Sequence, residues 1–559
     1  MQANTPWRRQ PQSLLSSRCL FLAFASLTLG APTGLVAQAG EVAPNREAKP
    51  AIPAIYAAIA EEGLEHSKVM DYLDTLTNSI GERLTGSDNF TLACKWAKSE
   101  FEKMGLEARL EPWETWEFVF NRGPWSGRLL APENIELQIA TEAWTAGTRG
   151  AVTAKAVRIE DVTIDAVEAL TGKVEGKWIL ARQPSRRSTD ARLAWQHLQL
   201  FAETEGAAGI VYSSTGDAKY PNRMRVFGDR NMALKANSKI PTLPLICVRK
   251  DQWDHIDDMV KAGKDVDLQF DIRNRFRREK VVLNNVIADL KGTEKPDEMV
   301  IVCGHLDSWH QATGTTDNGT GATSTMEAAR ILSAVGAKPK RTIRFILWGG
   351  EEQGLLGSRA YVAKHRSELA KVSGVFNHDT GTNWANSLGV PVDMYDDMER
   401  VCAPLAALKS PEPDYSGEVF RLGKLKSIGG GGRGGGGSDH ASFLTADIPA
   451  WSWGLRGKSD YFQYTWHSQW DTYDVAIPEY QRHTSTVIAT VALGVANLPN
   501  LLCRDSVGRN ATRTRPEGMQ PVEATNGDAK KTGAARGDAN AEPSSASKAS
   551  GTNVVRRRG

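Results

Sequence analysis

The chain has 559 residues, 41% of them hydrophobic and 24% charged, which is enough for a large core and more than one domain. Its 68 basic and 66 acidic residues leave a net charge of +2, so no basic face for nucleic acid is expected. The six Cys lack any C-x-x-C spacing, which excludes zinc–thiolate ribbons and redox pairs and leaves room for one disulfide.

The N-terminus reads as an export signal. Arg8, Arg9 and Arg18 give a basic start, Cys19 to Leu29 is apolar but too short to span a bilayer, and Ala37-Gln38-Ala39 suits a signal peptidase. Residues 1–39 are predicted to be removed after Ala39, giving a secreted or periplasmic product with no stable membrane span. A Pro/Ala-rich linker follows over 40–52. From Ile55 to Gly105 the apolar spacing is helical, interrupted by the glycine-bounded turn Gly81 to Ser87. Residues 130–272 read as an inserted β-rich module, with strands predicted over Lys177–Ala181, Pro241–Val248 and Asp265–Phe270, and a helix over Lys250–Ala262. It holds no His/Asp/Glu cluster with metal spacing.

From Val281 onward strands and helices alternate. Strands are predicted over Asn284–Asp289, Met299–Cys303, Thr342–Trp348 and Val372–Asn377, and helices over Gly321–Ala334, Gly354–His365 and Gln481–Asn497. The fold class is therefore α/β, a mixed and mostly parallel sheet flanked by helices, carrying the β-rich insert. Cys303 falls inside an apolar strand, as a small buried hydrophobe. The last stretch, 504–559, has almost no aromatic residues and is expected to be disordered.

The chemistry gathers at the ends of those strands. His305, Glu351-Glu352 and Asp379 each follow an apolar run, at the edge where α/β sheets bind ligands. Asp317 and His467 complete a set of five metal ligands, with Glu351 left over as a base. Asp317, Glu352 and Asp379 would offset three of the four charges of two Zn²⁺. Asp307, two residues after His305, is placed to hydrogen-bond the other ring nitrogen and fix the tautomer. Singly, each signal is weak: acids suit a helix N-terminus, and Asp317 in Thr-Thr-Asp-Asn-Gly suits a turn. Their order and their placement at strand ends give the set its weight.

The segments His305-Leu306-Asp307-Ser308-Trp309, Asp317-Asn318-Gly319-Thr320-Gly321 and Trp348-Gly349-Gly350-Glu351-Glu352-Gln353-Gly354, with Asp379 and His467, resemble peptidase family M28, the co-catalytic zinc exopeptidases. The ligand intervals of 12, 35 and 27 residues from His305 to Asp379 resemble its carboxypeptidase Q branch. The likeness spans about residues 55–500, and Arg83-Leu84-Thr85-Gly86-Ser87 is similar to the family's N-terminal part. On this reading 40–129 begin the peptidase domain, 130–272 are similar to a protease-associated (PA) domain, and 273–503 complete the catalytic part. The resemblance implies that His305 and Asp379 hold one zinc, Glu352 and His467 the other, and that Asp317 bridges them. Glu351 would be the general base for a metal-activated water, and short peptides or dipeptides the substrates. It leaves room for a homodimer.

Aminopeptidase, dipeptidase and carboxypeptidase variants share this core, and the sequence does not choose among them. A non-catalytic binding protein on the same fold needs lost ligands, and none is missing. A glutaminyl-cyclase-like transferase binds a single zinc with a reduced ligand set, against which the pair His305 and Asp379 argues. One departure from the family pattern is the run Gly429 to Gly437, broken only by Arg433. It lacks the G-K-[ST] ending of a phosphate loop. It reads as a surface loop, or as a lid that brings Arg433 and His440 to a substrate carboxylate.

Overall fold

The computed structural model describes residues 53–183, 188–228, 240–429 and 437–508. The signal segment and its cleavage site, Arg433 with most of its glycine run, and the tail beyond Gly508 lie outside the described residues.

One sheet has six strands in the order Glu107–Trp116, Val281–Leu290, Arg341–Trp348, Lys295–His305, Val372–Asn377 and Ala450–Ser452. The last four run parallel, and Val281–Leu290 pairs antiparallel both with them and with the edge strand Glu107–Trp116. Arg341–Trp348 and Val372–Asn377 are buried at every position, as expected for strands covered on both faces. Both coverings are visible on one strand. Phe345 stacks on Phe101 of the helix Asp88–Lys103, whereas Trp348, three residues on and so on the opposite face, meets Tyr361 and Phe443 of the helices Leu356–Lys364 and His440–Leu444. The helix Pro478–Ala496 lies against Thr320–Ala334 and Ala54–Glu65, and almost its whole length is buried. Mixed strands and helices in this arrangement match the predicted class.

The insert has an eight-stranded sheet of its own, ordered 135–137, 125–131, 267–272, 152–158, 178–181, 209–213, 245–248 and 139–141, with two hydrophobic clusters. It starts at Trp125 rather than residue 130, and the pairing of Val119–Asn121 with Arg275–Arg277 ties its two chain crossings together. It is less purely β than the sequence pattern suggested. Thr189–Thr204 is a helix, capped by Ser188, whose hydroxyl accepts the Ala191 N–H at 3.2 Å. The strand expected from Pro241 begins only at Leu245, after Pro244, because proline has no N–H to give the ladder.

At the C-terminal end the folded chain runs past 503. The Arg504 guanidinium donates to the carbonyls of Leu369, Ala370 and Val372, and the Gly508 N–H donates to the Ile428 carbonyl at 2.9 Å. The five described cysteines, Cys94, Cys247, Cys303, Cys402 and Cys503, are all free, so the disulfide is not formed among them.

Candidate metal centre

His305 is the last residue of the strand Lys295–His305, Glu351 and Glu352 follow Arg341–Trp348 after a Gly-Gly turn, and Asp379 follows Val372–Asn377 by two residues. Three neighbouring parallel strands thus deliver their polar groups to one sheet edge. Asp317 enters from the turn before the helix Thr320–Ala334, and His467 from the loop after Tyr461–Thr465. His467 (φ 54°), Leu355 (φ 62°) and Thr380 (φ 85°) are non-glycine residues in the left-handed region, so backbone strain collects around this edge.

The geometry sorts the ligands into two groups that share Asp317. His305 Nε2 lies 3.3 Å from Asp317 Oδ1 and 3.7 Å from Asp379 Oδ1. His467 Nε2 lies 2.9 Å from Asp317 Oδ2 and 3.1 Å from Glu352 Oε2. One oxygen of Asp317 therefore faces each histidine, as a bridging carboxylate requires. His305, Asp317 and Asp379, and again Asp317, Glu352 and His467, each place ligand atoms within 4.8 Å of one another. His305 Nε2, Asp317 Oδ2 and Glu352 Oε1 are buried without a hydrogen bond of good geometry, a costly arrangement unless a cation is the intended partner. The donor set of imidazoles and carboxylates fits divalent zinc.

Crowding of buried acids shows in their protonation. Burial pushes Glu351 well above the ordinary carboxylate range, reinforced by Asp379, Asp439 and Glu352 and opposed by His305. Burial likewise raises Glu352, with Asp317 adding to it. For Asp317 burial also acts upward, but the close approach of His305 and His467 outweighs it and holds the carboxyl low. Burial works against charge on His467, yet Glu352 and Asp317 carry it up to about 9. His305 is raised well above its usual value in the same way, by Glu351 and Asp379. Bound cations would reverse this logic, favouring neutral imidazoles and ionised carboxylates.

Asp307 does a different job from the expected one. His305 Nδ1 meets the Asp307 main-chain carbonyl at 3.0 Å, while the nearest carboxylate oxygen is 3.6 Å away. The backbone therefore fixes the tautomer. The carboxylate instead accepts the Thr85 hydroxyl at 2.9 Å and the N–H groups of Glu351 and Glu352 at 3.2 and 3.3 Å. It orients the turn that carries Glu351 and Glu352.

Of the remaining histidines, His310 is buried and bonds the Thr141 carbonyl through Nε2, and His365 is held between Glu111 and Glu368. Neither belongs to the ligand groups. His440 starts the helix His440–Leu444 and is buried; it too lies outside both groups. Sequence reasoning did not single out Tyr461, whose phenol is buried among the carboxylates: burial first, then Asp317, Asp379, Glu352 and Asp471, push it well above its usual value. It named Arg83 only within a resembling segment, without a role, and missed Asp471; the motif His467-Ser468-Gln469-Trp470-Asp471 was the available signal for the latter.

The insert closes one side. Phe227 sets its ring edge against His467 at 5.1 Å and Trp309 at 5.6 Å between centroids. Around it the Met224 N–H donates to Gln469, the Val226 N–H to Gln311, and Gln469 to the Asn222 carbonyl. A small pocket opens beside this wall, lined by Trp309, Gln311, Asp317, Glu352 and His467 among others.

Residues 285–492 match the model of peptidase family M28. Carboxypeptidase Q of Mus musculus is 25% identical over 456 residues, covering 80% of this chain and 89% of that protein. Carboxypeptidase Q of Homo sapiens is 25% identical over 454 residues with the same two coverages, 80% and 89%. The crystal structure of a peptidase M28 precursor from Shewanella amazonensis SB2B aligns at a TM-score of 0.57 and 25% identity, covering 80% of this chain and 98% of that one. Residues 285–492 thus match a peptidase family M28 domain, and the chain is a metallo-exopeptidase.

Proposed function

We propose that the protein is a secreted or periplasmic di-zinc exopeptidase acting on short peptides or dipeptides. The observation that carries this reading is the sharing of Asp317 between two otherwise separate ligand groups. His305 and Asp379 would hold one zinc and Glu352 and His467 the other, with Asp317 available to both. Two zinc ions at these positions supply Lewis acidity toward water and the scissile carbonyl.

Glu351 is the general base. Its Oε2 lies 3.9 Å from His305 Nε2, at the metal edge but not in either ligand group. Its carboxyl is desolvated, which makes it a ready proton acceptor once cations draw down the field of its acidic neighbours. It takes the proton of the attacking water and returns it to the leaving amine. Asp307 holds Glu351 in place through its N–H. The Tyr461 hydroxyl is the group available to donate to the oxygen of the tetrahedral intermediate. Trp309 lines the pocket and Phe227 of the PA-like insert packs against Trp309 and His467, an arrangement that favours short substrates. His440 and Arg433 remain candidates for contact with a substrate carboxylate.

Export is supported by the basic, apolar and Ala-x-Ala succession over residues 1–39, and no described helix is long and apolar enough to cross a membrane. The test is metal analysis of the purified protein with a mass-spectrometric digest of a mixed peptide library. Two zinc ions per chain and loss of single terminal residues are expected. One ion without hydrolysis would favour a cyclase, and none a binding protein.

A further inference from the structure

The segment from Leu306 to Thr316 joins the first ligand to the bridging one. It contains no strand, so its own backbone does not fix the separation of His305 and Asp317. Two buried polar residues, Arg83 and Asp471, fix it from outside.

Arg83, 0% exposed, turns its guanidinium onto carbonyls alone: Nε to Leu306 at 2.8 Å, Nη1 to Thr313 at 2.8 Å and Gly81 at 3.0 Å, and Nη2 to Gly314 at 2.7 Å. Its main chain exchanges bonds with Ser308, the Arg83 N–H donating to Oγ and the Ser308 N–H to the Arg83 carbonyl. Gly314 has φ +61°, and a Cβ there would fall 2.3 Å from Ser308, so the loop closes tightly on the arginine. Burial lowers Arg83 only to about 10, so it stays charged at neutral pH.

Asp471 takes the opposite groups. Its carboxylate accepts the Thr316 N–H at 2.6 Å, the Thr316 hydroxyl at 2.7 Å and the Asp317 N–H at 3.1 Å, and its carbonyl accepts the Thr313 N–H at 3.2 Å. Thr313 is thus held through its carbonyl by Arg83 and through its N–H by Asp471. Arg83 satisfies carbonyls and Asp471 satisfies amides from opposite sides of the loop, although burial and then Asp317 push the Asp471 carboxyl up to about 7 against the hydrogen bonds it accepts.

We propose that Arg83 and Asp471 are paired positioning residues that clamp the 306–317 segment and hold the Asp317 carboxylate between the two metal positions. Affinity for the second metal then depends on them more than stability of the fold does. The clamp rests on the two-metal reading above. Lysine offers one compact ammonium in place of a fork that spans three loop carbonyls. Asparagine offers one acceptor oxygen where two backbone amides and a hydroxyl are waiting.

The experiment titrates zinc into the metal-stripped full chain against a competing chromogenic chelator, with Arg83→Lys, Asp471→Asn and Val491→Ala. Val491 is buried in the helix Pro478–Ala496 and serves as a control for general destabilisation. The clamp variants should bind the first zinc as the parent does and the second about 10- to 100-fold more weakly. The control, at an equal or larger loss in Tm, should keep both. Cobalt(II) absorption at one and two equivalents reads the same loss spectroscopically. Should a clamp variant not fold, Thr316→Val, which removes a hydroxyl shared between Asp471 and Thr465 and leaves both backbone amides on the carboxylate, should weaken the second site in the same direction. Clamp variants that hold both zincs as tightly as the parent, or a control that weakens equally, overturn the proposal. A parent that binds fewer than two zincs overturns the two-metal reading itself, and the clamp with it.

Discussion

Asp307→Asn separates two accounts of a buried carboxylate. If Asp307 fixed the His305 tautomer through its side chain, the substitution would strike the metal position of His305 and Asp379. The distances say otherwise: the carbonyl that meets His305 Nδ1 belongs to the main chain and survives the change. What changes is the reception of three donors, from Thr85, Glu351 and Glu352. Asparagine keeps one acceptor oxygen. The Thr85 hydroxyl can turn round and accept from the new amide, but one backbone N–H of the 351–352 turn is left facing a donor. A buried unsatisfied N–H costs about 1–3 kcal/mol. The turn should relax, displacing Glu352 from its metal and Glu351 from the water, and kcat should fall by about 10- to 100-fold. The assay combines steady-state kinetics with anomalous diffraction from crystals grown at limiting zinc. Occupancy should drop at the Glu352–His467 position and persist at His305–Asp379. The reverse pattern, or unchanged kcat, refutes the reasoning.

Three further outcomes follow from the same structure. Glu351→Gln should retain both metals while hydrolysis falls by about 10²–10⁴-fold; metal loss in that variant, or retained turnover, would show that Glu351 is a ligand or a bystander. Phe227→Ala removes the ring of the insert that borders His467, so the ratio of kcat/KM for tetrapeptides to that for dipeptides should rise; an unchanged ratio would mean the insert sets no length limit. Asp289→Asn breaks a buried pair whose Arg344 partner donates to both carboxylate oxygens, at 2.7 and 2.8 Å, and should cost about 3–5 kcal/mol at pH 7. Burial acts to raise the Asp289 carboxyl, but Arg344, with Arg109 and Lys291, wins and depresses it. Its contribution is therefore complete above the unfolded value near 3.9 and is lost as pH falls through the lower folded value. The gap in Tm between variant and parent should close at low pH; a gap independent of pH would argue against the ion pair as its cause.

Much of the site was legible because ligand chemistry restricts residue type and α/β topology restricts place. The apolar runs ending at His305, before Glu351 and before Asp379 became neighbouring parallel strands, and the carboxyl-end rule put their polar groups together. Asp317 and His467 lie on loops and carry no such positional cue; the resemblance to family M28 linked them, and the structure brings them within ligand distance. In the insert, helix Thr189–Thr204 escaped notice because its apolar residues are broken up by Arg192, Gln196, His197 and Gln199, and only its packing shows that Trp195, Leu198 and Phe201 share one buried side.

The supports were hidden for a different reason. Asp307 was paired with the His305 side chain because a His-x-Asp spacing invites a side-chain pairing, but a residue two positions along a turn offers its carbonyl first. Arg83 and Asp471 act almost wholly on backbone carbonyls and amides, which every residue of the 306–317 segment possesses. No residue identity in that segment announces such a partner, except Gly314, whose left-handed backbone and missing Cβ let Ser308 and the Arg83 guanidinium pack against it. A ligand is constrained by what it is, a backbone clamp by where the chain passes, and the second constraint exists only after folding.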